Sequence, residues 1–224
     1  MTLNRRIFLA QAASLASGPA LATALRPSLF EDAPLRVSAA ARGIVYGCAT
    51  STFQLRDADF AATLVREAAI LVPEYEMKRG VIEPAPGHYD FSGADALAGF
   101  ARSHGLALRG HPLVWHKRNP DWLDDDALAA GGESLLTGYI AAVVARYRGR
   151  VHSWDVVNEA IAPGEPGNLR PTIWLKRFGP SYIDLAFHAA RSADPKALLV
   201  YNDWGCELGA PDNDRFRAAT LVFL

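Results

Sequence analysis

The sequence predicts an α/β protein of the TIM, or (β/α)8, barrel type, incomplete, with about five βα units present. Five short β-rich runs alternate with amphipathic stretches, at a strand-to-strand spacing of roughly 25 to 45 residues that suits a barrel with elaborated loops. The runs are apolar nearly throughout, as strands covered on both faces require. No glycine-rich phosphate loop follows the first run, which weighs against a doubly wound nucleotide-binding sheet.

The β-rich runs are 44–48 (IVYGC), 70–73 (ILVP), 106–110 (LALRG), 151–157 (VHSWDVV) and 198–202 (LLVYN). Between them, apolar residues recur at helical spacing. Phe60, Leu64 and Ala68 form one stripe, and Leu97, Phe100 and Ala101 a second, stopped by Gly105. Leu136, Ile140, Val143, Val144 and Tyr147 form a third, closed by Gly149. Ile183, Ala186, Phe187 and Ala190 form a fourth, ended by Asp194-Pro195, and a last helix starts near Asp212 and carries Phe216, Ala219 and Thr220. A closed barrel needs eight such units. Five strands leave two open edges, so the chain is either truncated inside the fifth unit or a fragment that pairs with something else; truncation is the expectation, with a partial barrel over residues 43–224.

The 224 residues are half hydrophobic, 21% charged, and carry a net charge of −1. That composition suits one large globular domain and, with no basic stripe, argues against a nucleic-acid partner. Cys48 and Cys206 give neither a disulfide framework nor a metal spacing, and leave one pairing open. At the N-terminus, Asn4-Arg5-Arg6-Ile7-Phe8-Leu9 has the form of a twin-arginine export signal, and Ala22-Thr23-Ala24 suits signal-peptidase cleavage. Residues 1–24 are therefore expected to be a leader read by the twin-arginine machinery, and residues 25–42 an N-terminal extension. The apolar part of this segment is too short to span a membrane, and the expected destination is periplasmic or extracellular.

Polar residues cluster directly after the runs, where a parallel barrel places its active face. Glu74, Tyr75, Glu76 and Lys78 follow the second; His111, Trp115, His116 and Trp122 the third; Asn158 and Glu159 the fourth; Asn202, Asp203, Trp204 and Glu207 the fifth. Carboxylates beside indoles and imidazoles suit a sugar, whose ring has an apolar face and a hydroxyl rim. Glycoside hydrolysis needs one carboxyl as acid and a second as nucleophile or base. A strand-end Asn-Glu pair is costly to bury without a role.

These motifs resemble those of the family-10 glycoside hydrolases, the xylanases. Gly110-His111-Pro112-Leu113-Val114-Trp115-His116, followed by Pro120-Asp121-Trp122, is similar to their third-strand signature. Trp154-Asp155-Val156-Val157-Asn158-Glu159 resembles the fourth-strand signature, Tyr201-Asn202-Asp203-Trp204 the fifth, and the Glu74 to Lys78 segment with Pro86-Gly87-His88-Tyr89-Asp90-Phe91 the second. The resemblance implies retaining endo-hydrolysis of β-1,4-xylosidic bonds in xylan, with Glu159 as general acid/base and no metal or organic cofactor. It implies that Asn158 binds the 2-hydroxyl at the cleavage subsite, that His111 contacts the neighbouring 3-hydroxyl, and that Trp115 packs beneath that ring. Lys78 and Glu74 would bind hydroxyls on the non-reducing side, with Asn202 and Trp204 near the cleavage point and on the leaving-group side.

Two residues depart from the family pattern, Tyr75 for an Asn and Arg118 for a Gln, both at positions that touch sugar on the non-reducing side. The nucleophilic Glu of the family's seventh strand has no counterpart in this chain; Glu74, Glu76 and Glu207 do not occupy its place. An inactive or sugar-binding barrel fragment and a cellulase-like barrel glycosidase therefore remain open, the His111 to Trp122 signature favouring the xylanase. Trp154 is expected in the core and Asp155 as a buried, hydrogen-bonded strand residue, with a position supporting the site also open to Asp155. His116 is open to a supporting position behind the site. His152 and His188 are expected to be structural or solvent-facing, and Glu133 and Asp124 to Asp126 to mark a solvated loop and helix start.

Overall fold

In the computed structural model, residues 33–204, 214–215 and 217–220 are described. Residues 1–24, where a leader is expected, and Cys206, Glu207, Asp212 and Phe216 lie outside the described residues.

From Pro34 onward the chain forms one compact unit. A short helix α1 (Leu35–Ala40) precedes β1 (Gly47–Thr50). Then come α2 (Ala58–Glu67), β2 (Ile70–Pro73), α3 (Arg79–Ile82), α4 (Ser92–Ser103) and β3 (Ala107–Gly110). Next are α5 (Asp125–Gly131), α6 (Ser134–Arg146) and β4 (Ser153–Asn158), and finally α7 (Ile173–Phe178), α8 (Tyr182–Ala193) and β5 (Leu198–Asn202). The five strands form one parallel sheet in the order β1-β2-β3-β4-β5. Each strand pairs with its sequence neighbour, the order in which a (β/α)8 barrel is laid down. Among the described residues no single helix is long and apolar enough to cross a membrane.

Local chemistry explains most boundaries. The Asp57 carboxylate caps α2 by accepting from the Asp59 and Phe60 amides at 2.9 and 3.1 Å, Asp124 caps α5 through the Ala127 amide at 2.8 Å, and Thr172 caps α7 through Leu175 at 2.9 Å. The stop residues Gly105 and Gly149 take positive φ, +67° and +71°. β4 is buried at all six positions, and α6 buries Leu136, Tyr139, Ile140, Val143 and Val144 in the same core. Trp154 is fully buried, as expected. It lies so close to β3 that a Cβ on Gly110 would fall 2.1 Å from its ring, so glycine is required where β3 passes that indole.

The second and fifth strands match the sequence reading residue for residue. The first is shifted: β1 begins at Gly47, because Ile44 and Val45 are exposed and the ladder to β2 runs on through Ala49 and Thr50. Helices α1, α3 and α7 were not foreseen. With four to six residues each, they are too short for a 3.6-residue period to register.

Candidate active site

The ends of β3, β4 and β5 are joined by one chain of side-chain hydrogen bonds. Asp155, 1% exposed, lies at its centre. Its carboxylate accepts from Arg109 Nε at 3.0 Å and Nη2 at 2.5 Å, and from His111 Nδ1 at 2.8 Å. Arg109 Nη2 also donates to Asn202 Oδ1 at 3.1 Å, and Asn202 Nδ2 donates to Asn158 Oδ1 at 2.7 Å. Three consequences follow from donor and acceptor accounting. The His111 proton is on Nδ1, leaving Nε2 as the ring nitrogen outside the network. Asn202 spends both amide atoms on its neighbours and acts on Asn158. Asn158 Oδ1 is occupied, so its Nδ2 is the end left to reach a ligand.

This convergence depends on an irregularity. Asp155 and Asn158 are three residues apart, and strict alternation would send them to opposite faces. A register shift between Asp155 and Val157 in the β4–β5 ladder inserts one residue, so both reach the same network.

Glu159 follows directly, in the left-handed region at φ +56°, a conformation that costs a non-glycine residue about 1–2 kcal/mol. Contacts on both sides of its backbone hold it there. Its amide donates to Asn202 O at 2.8 Å, and its carbonyl accepts from Arg170 Nε at 2.8 Å. Arg170 Nη2 reaches on to Ile161 O at 3.2 Å. The Glu159 carboxyl is about one-fifth exposed, with His116 Nδ1 3.8 Å from Oε2. Backbone strain fixed from outside in this way is characteristic of a residue whose side chain must be aimed.

His116 sits behind Glu159. Burial holds its pKa below the ordinary 6.5; the Arg170 charge acts in the same direction, Glu159 opposes, and Lys117 adds a further lowering. The imidazole is therefore neutral in the folded protein at pH values where the unfolded chain already binds a proton. That gives stability that is present above pH 6.5 and lost as the pH falls through it. Between about pH 7.5 and pH 5, urea unfolding of the parent should lose more stability than that of His116→Gln; equal losses would show that His116 contributes nothing.

The second-strand residues divide into two kinds. Lys78, 7% exposed, has its Nζ 5.3 Å from the centre of the Trp115 ring. Burial lowers its pKa, against the opposing charges of Glu74 and Glu159. Glu76 is buried and tied down by the Thr52 amide at 2.5 Å and hydroxyl at 2.7 Å, which places it in the scaffold. Glu74 and Tyr75 are exposed. Trp115 is half-buried, and its Nε1 has no hydrogen-bond partner among the described residues. Trp204, at the end of β5, is more than half exposed, with its amide on Asp203 Oδ1 at 2.9 Å. Tyr201 supports the same corner: its hydroxyl accepts from the Ala160 and Ile161 amides at 3.0 and 3.1 Å and donates to Asp203. Burial and that carboxylate push its ionisation far upward.

Sequence reasoning assigned no role to Arg109 or Arg170. Arg109 carried a signal, since a charged residue two positions before His111 on a strand shares its face. Arg170 carried none, because its targets are backbone carbonyls. Among the described residues no three His, Cys, Asp or Glu side chains converge in a way that would hold a metal ion.

Comparison with known proteins accords with this geometry. The family model for glycosyl hydrolase family 10 matches residues 34–218. Endo-1,4-beta-xylanase B of Thermotoga neapolitana is 38% identical over 181 residues, covering 79% of this chain and 52% of that protein. Among solved structures, native xylanase 10B of Thermotoga maritima superposes with a TM-score of 0.73 at 34% identity, over 85% of this chain and 59% of that one. Xylanase 10B of Thermotoga petrophila RKU-1, solved in complex with xylobiose, gives 0.71 at 33%, over 84% and 59%. The chain thus spans between half and three-fifths of the length of these relatives. With its incomplete (β/α)8 sheet and with the motifs of four successive strands in register, it belongs to glycosyl hydrolase family 10.

Proposed function

We propose that this chain carries the acid/base half of a retaining endo-1,4-β-xylanase. The observation that supports this reading best is the Asn158-Glu159 pair, held at the end of β4 by the Asp155, Arg109 and Asn202 network and by Arg170. Glu159 protonates the oxygen of the leaving sugar and later takes a proton from water. Asn158 Nδ2 donates to the 2-hydroxyl of the sugar being cleaved, and His111 Nε2 accepts from the hydroxyl beside it. Trp115 supplies the apolar platform, with Lys78 and Glu74 on hydroxyls to the non-reducing side and Trp204 on the leaving-group side. Retention needs a second carboxylate about 5–5.5 Å from the first, and no residue of this chain is assigned that role. The relatives named above are endo-1,4-β-xylanases, which favours xylan over cellulose. Residues 1–24 are part of the same proposal, as a twin-arginine leader that exports the protein to its polymeric substrate.

The 224-residue polypeptide alone is expected to bind xylooligosaccharides and to show little or no turnover of xylan. Titration with xylotetraose should change its tryptophan fluorescence, and Trp115→Ala should weaken the affinity about tenfold, the loss of one well-packed aromatic platform. A parent fluorescence unmoved by saturating ligand would sink the cleft. Ready turnover that survives Glu159→Gln would sink the acid/base assignment.

A further inference from the structure

The two residues that depart from the family pattern meet in space. The Arg118 guanidinium lies over the Tyr75 ring, 5.8 Å from its centre, although the residues sit on different loops, after β3 and after β2. Both line a groove of about 490 Å³ with Gly80, Asp121 and Trp122. Arg118 is held there by its backbone. It takes φ +57°, its carbonyl accepts from the Gly80 amide at 2.8 Å, and a Cβ on Gly80 would come within 2.9 Å of that oxygen. Asn119 braces the same turn by donating to Trp115 O at 3.1 Å.

The charges around the groove are unbalanced toward the positive. Lys117 and Arg118 are exposed, Lys117 lies 5.6 Å from the centre of the Trp115 ring, and Lys78 is close enough for Arg118 to lower its pKa. Among the described residues none of the three forms an ion pair within 4.0 Å, although Asp121 lines the groove and Glu74 stands near Lys78. A guanidinium held over an aromatic ring keeps its N–H fork for a planar carboxylate, while exposed aromatic rings accept the apolar face of a pyranose.

We propose that the Tyr75–Arg118 groove is a subsite for an acidic sugar, a uronic acid carried by the polysaccharide beside the Lys78 and Trp115 end of the cleft. This rests on the sugar-cleft reading above. Arg118 takes the carboxylate in two hydrogen bonds, Tyr75 holds the guanidinium in place and covers part of the ring, and Lys117 adds long-range attraction.

Calorimetric titration of the full 224-residue chain tests it, with neutral xylotetraose and with the same oligosaccharide bearing one glucuronic acid. At low salt the acidic ligand should bind about fivefold more tightly, the scale of one solvent-exposed Arg–carboxylate pair. Raising the salt toward about 1 M should shrink that ratio toward one, since an exposed pair is screened. Arg118→Gln should bring the ratio within about twofold of one, and Arg118→Lys should keep part of it. Equal affinity of the parent for the two ligands would overturn the acidic subsite and leave the neutral cleft standing. A preference that survives Arg118→Gln would also overturn it. Binding of neither ligand would overturn both readings.

Discussion

Replacing Arg79 by methionine is expected to cost about 3–5 kcal/mol, the price of leaving a buried charge without its partner. Arg79 and Glu83 are both about 4% exposed and form a buried ion pair, Nε and Nη2 reaching Glu83 Oε2 at 3.0 and 2.8 Å. The guanidinium is enclosed by rings, its centre 4.3 Å from Tyr139, 5.4 Å from Trp174 and 5.6 Å from Trp122. Trp122 Nε1 in turn donates to the Glu83 carbonyl at 3.1 Å. Without Arg79, Glu83 keeps the Gly87 amide at 3.1 Å and nothing of opposite charge in the pair. The double variant Arg79→Met with Glu83→Leu should recover most of the loss, because an apolar pair of similar volume pays no desolvation. Urea unfolding of the parent, the single and the double variants reads this directly. A single variant within about 1 kcal/mol of the parent would mean that the pair and its aromatic enclosure do not hold α3 and the Lys78 loop together.

Asp155→Ala should cost about 3 kcal/mol, somewhat below the range for a fully buried pair because the Arg109 side chain is 32% exposed and water can take over part of its solvation. Asp155→Asn should cost about half as much, since one neutral acceptor remains for Arg109. The distinguishing readout is affinity. Without Asp155 the proton position of His111 is no longer set and Arg109 no longer fixes Asn202, so xylotetraose binding should weaken about tenfold even where the variant is fully folded. Unchanged affinity in folded Asp155→Asn would show that the network supports the sheet and leaves the ligand-facing groups indifferent.

Most residues proposed for the site stand out in the sequence because they follow the end of a strand. Their types are those that sugar chemistry needs, and the strand-end rule needs only the local pattern of apolar runs. Trp154 as core and Asp155 as a buried acceptor follow from the same local pattern, and of the two places open to His152 and His188, structural or solvent-facing, both are exposed. Trp122 was read as part of a sugar signature; its indole N–H is spent on Glu83, and its ring packs on Arg79 as well as lining the groove.

By itself, then, the sequence determined the order of strands, the parallel (β/α) architecture and the set of chemical groups at the strand ends. Alternation, helical stripes and stop residues are local properties of the chain. The tertiary structure alone decided which groups touch. The bulge in β4 changes the side-chain parity, so that Asp155 and Asn158 share one network. The approach of three strands lets Arg109 link Asp155 to Asn202. The docking of the loop after β3 on α3 sets Arg118 over Tyr75, and the left-handed turn at Glu159 is held by groups from Asn202 and Arg170. Each of these depends on register and packing between segments tens of residues apart. A one-residue shift reverses the face of every side chain that follows it, and no local pattern encodes it.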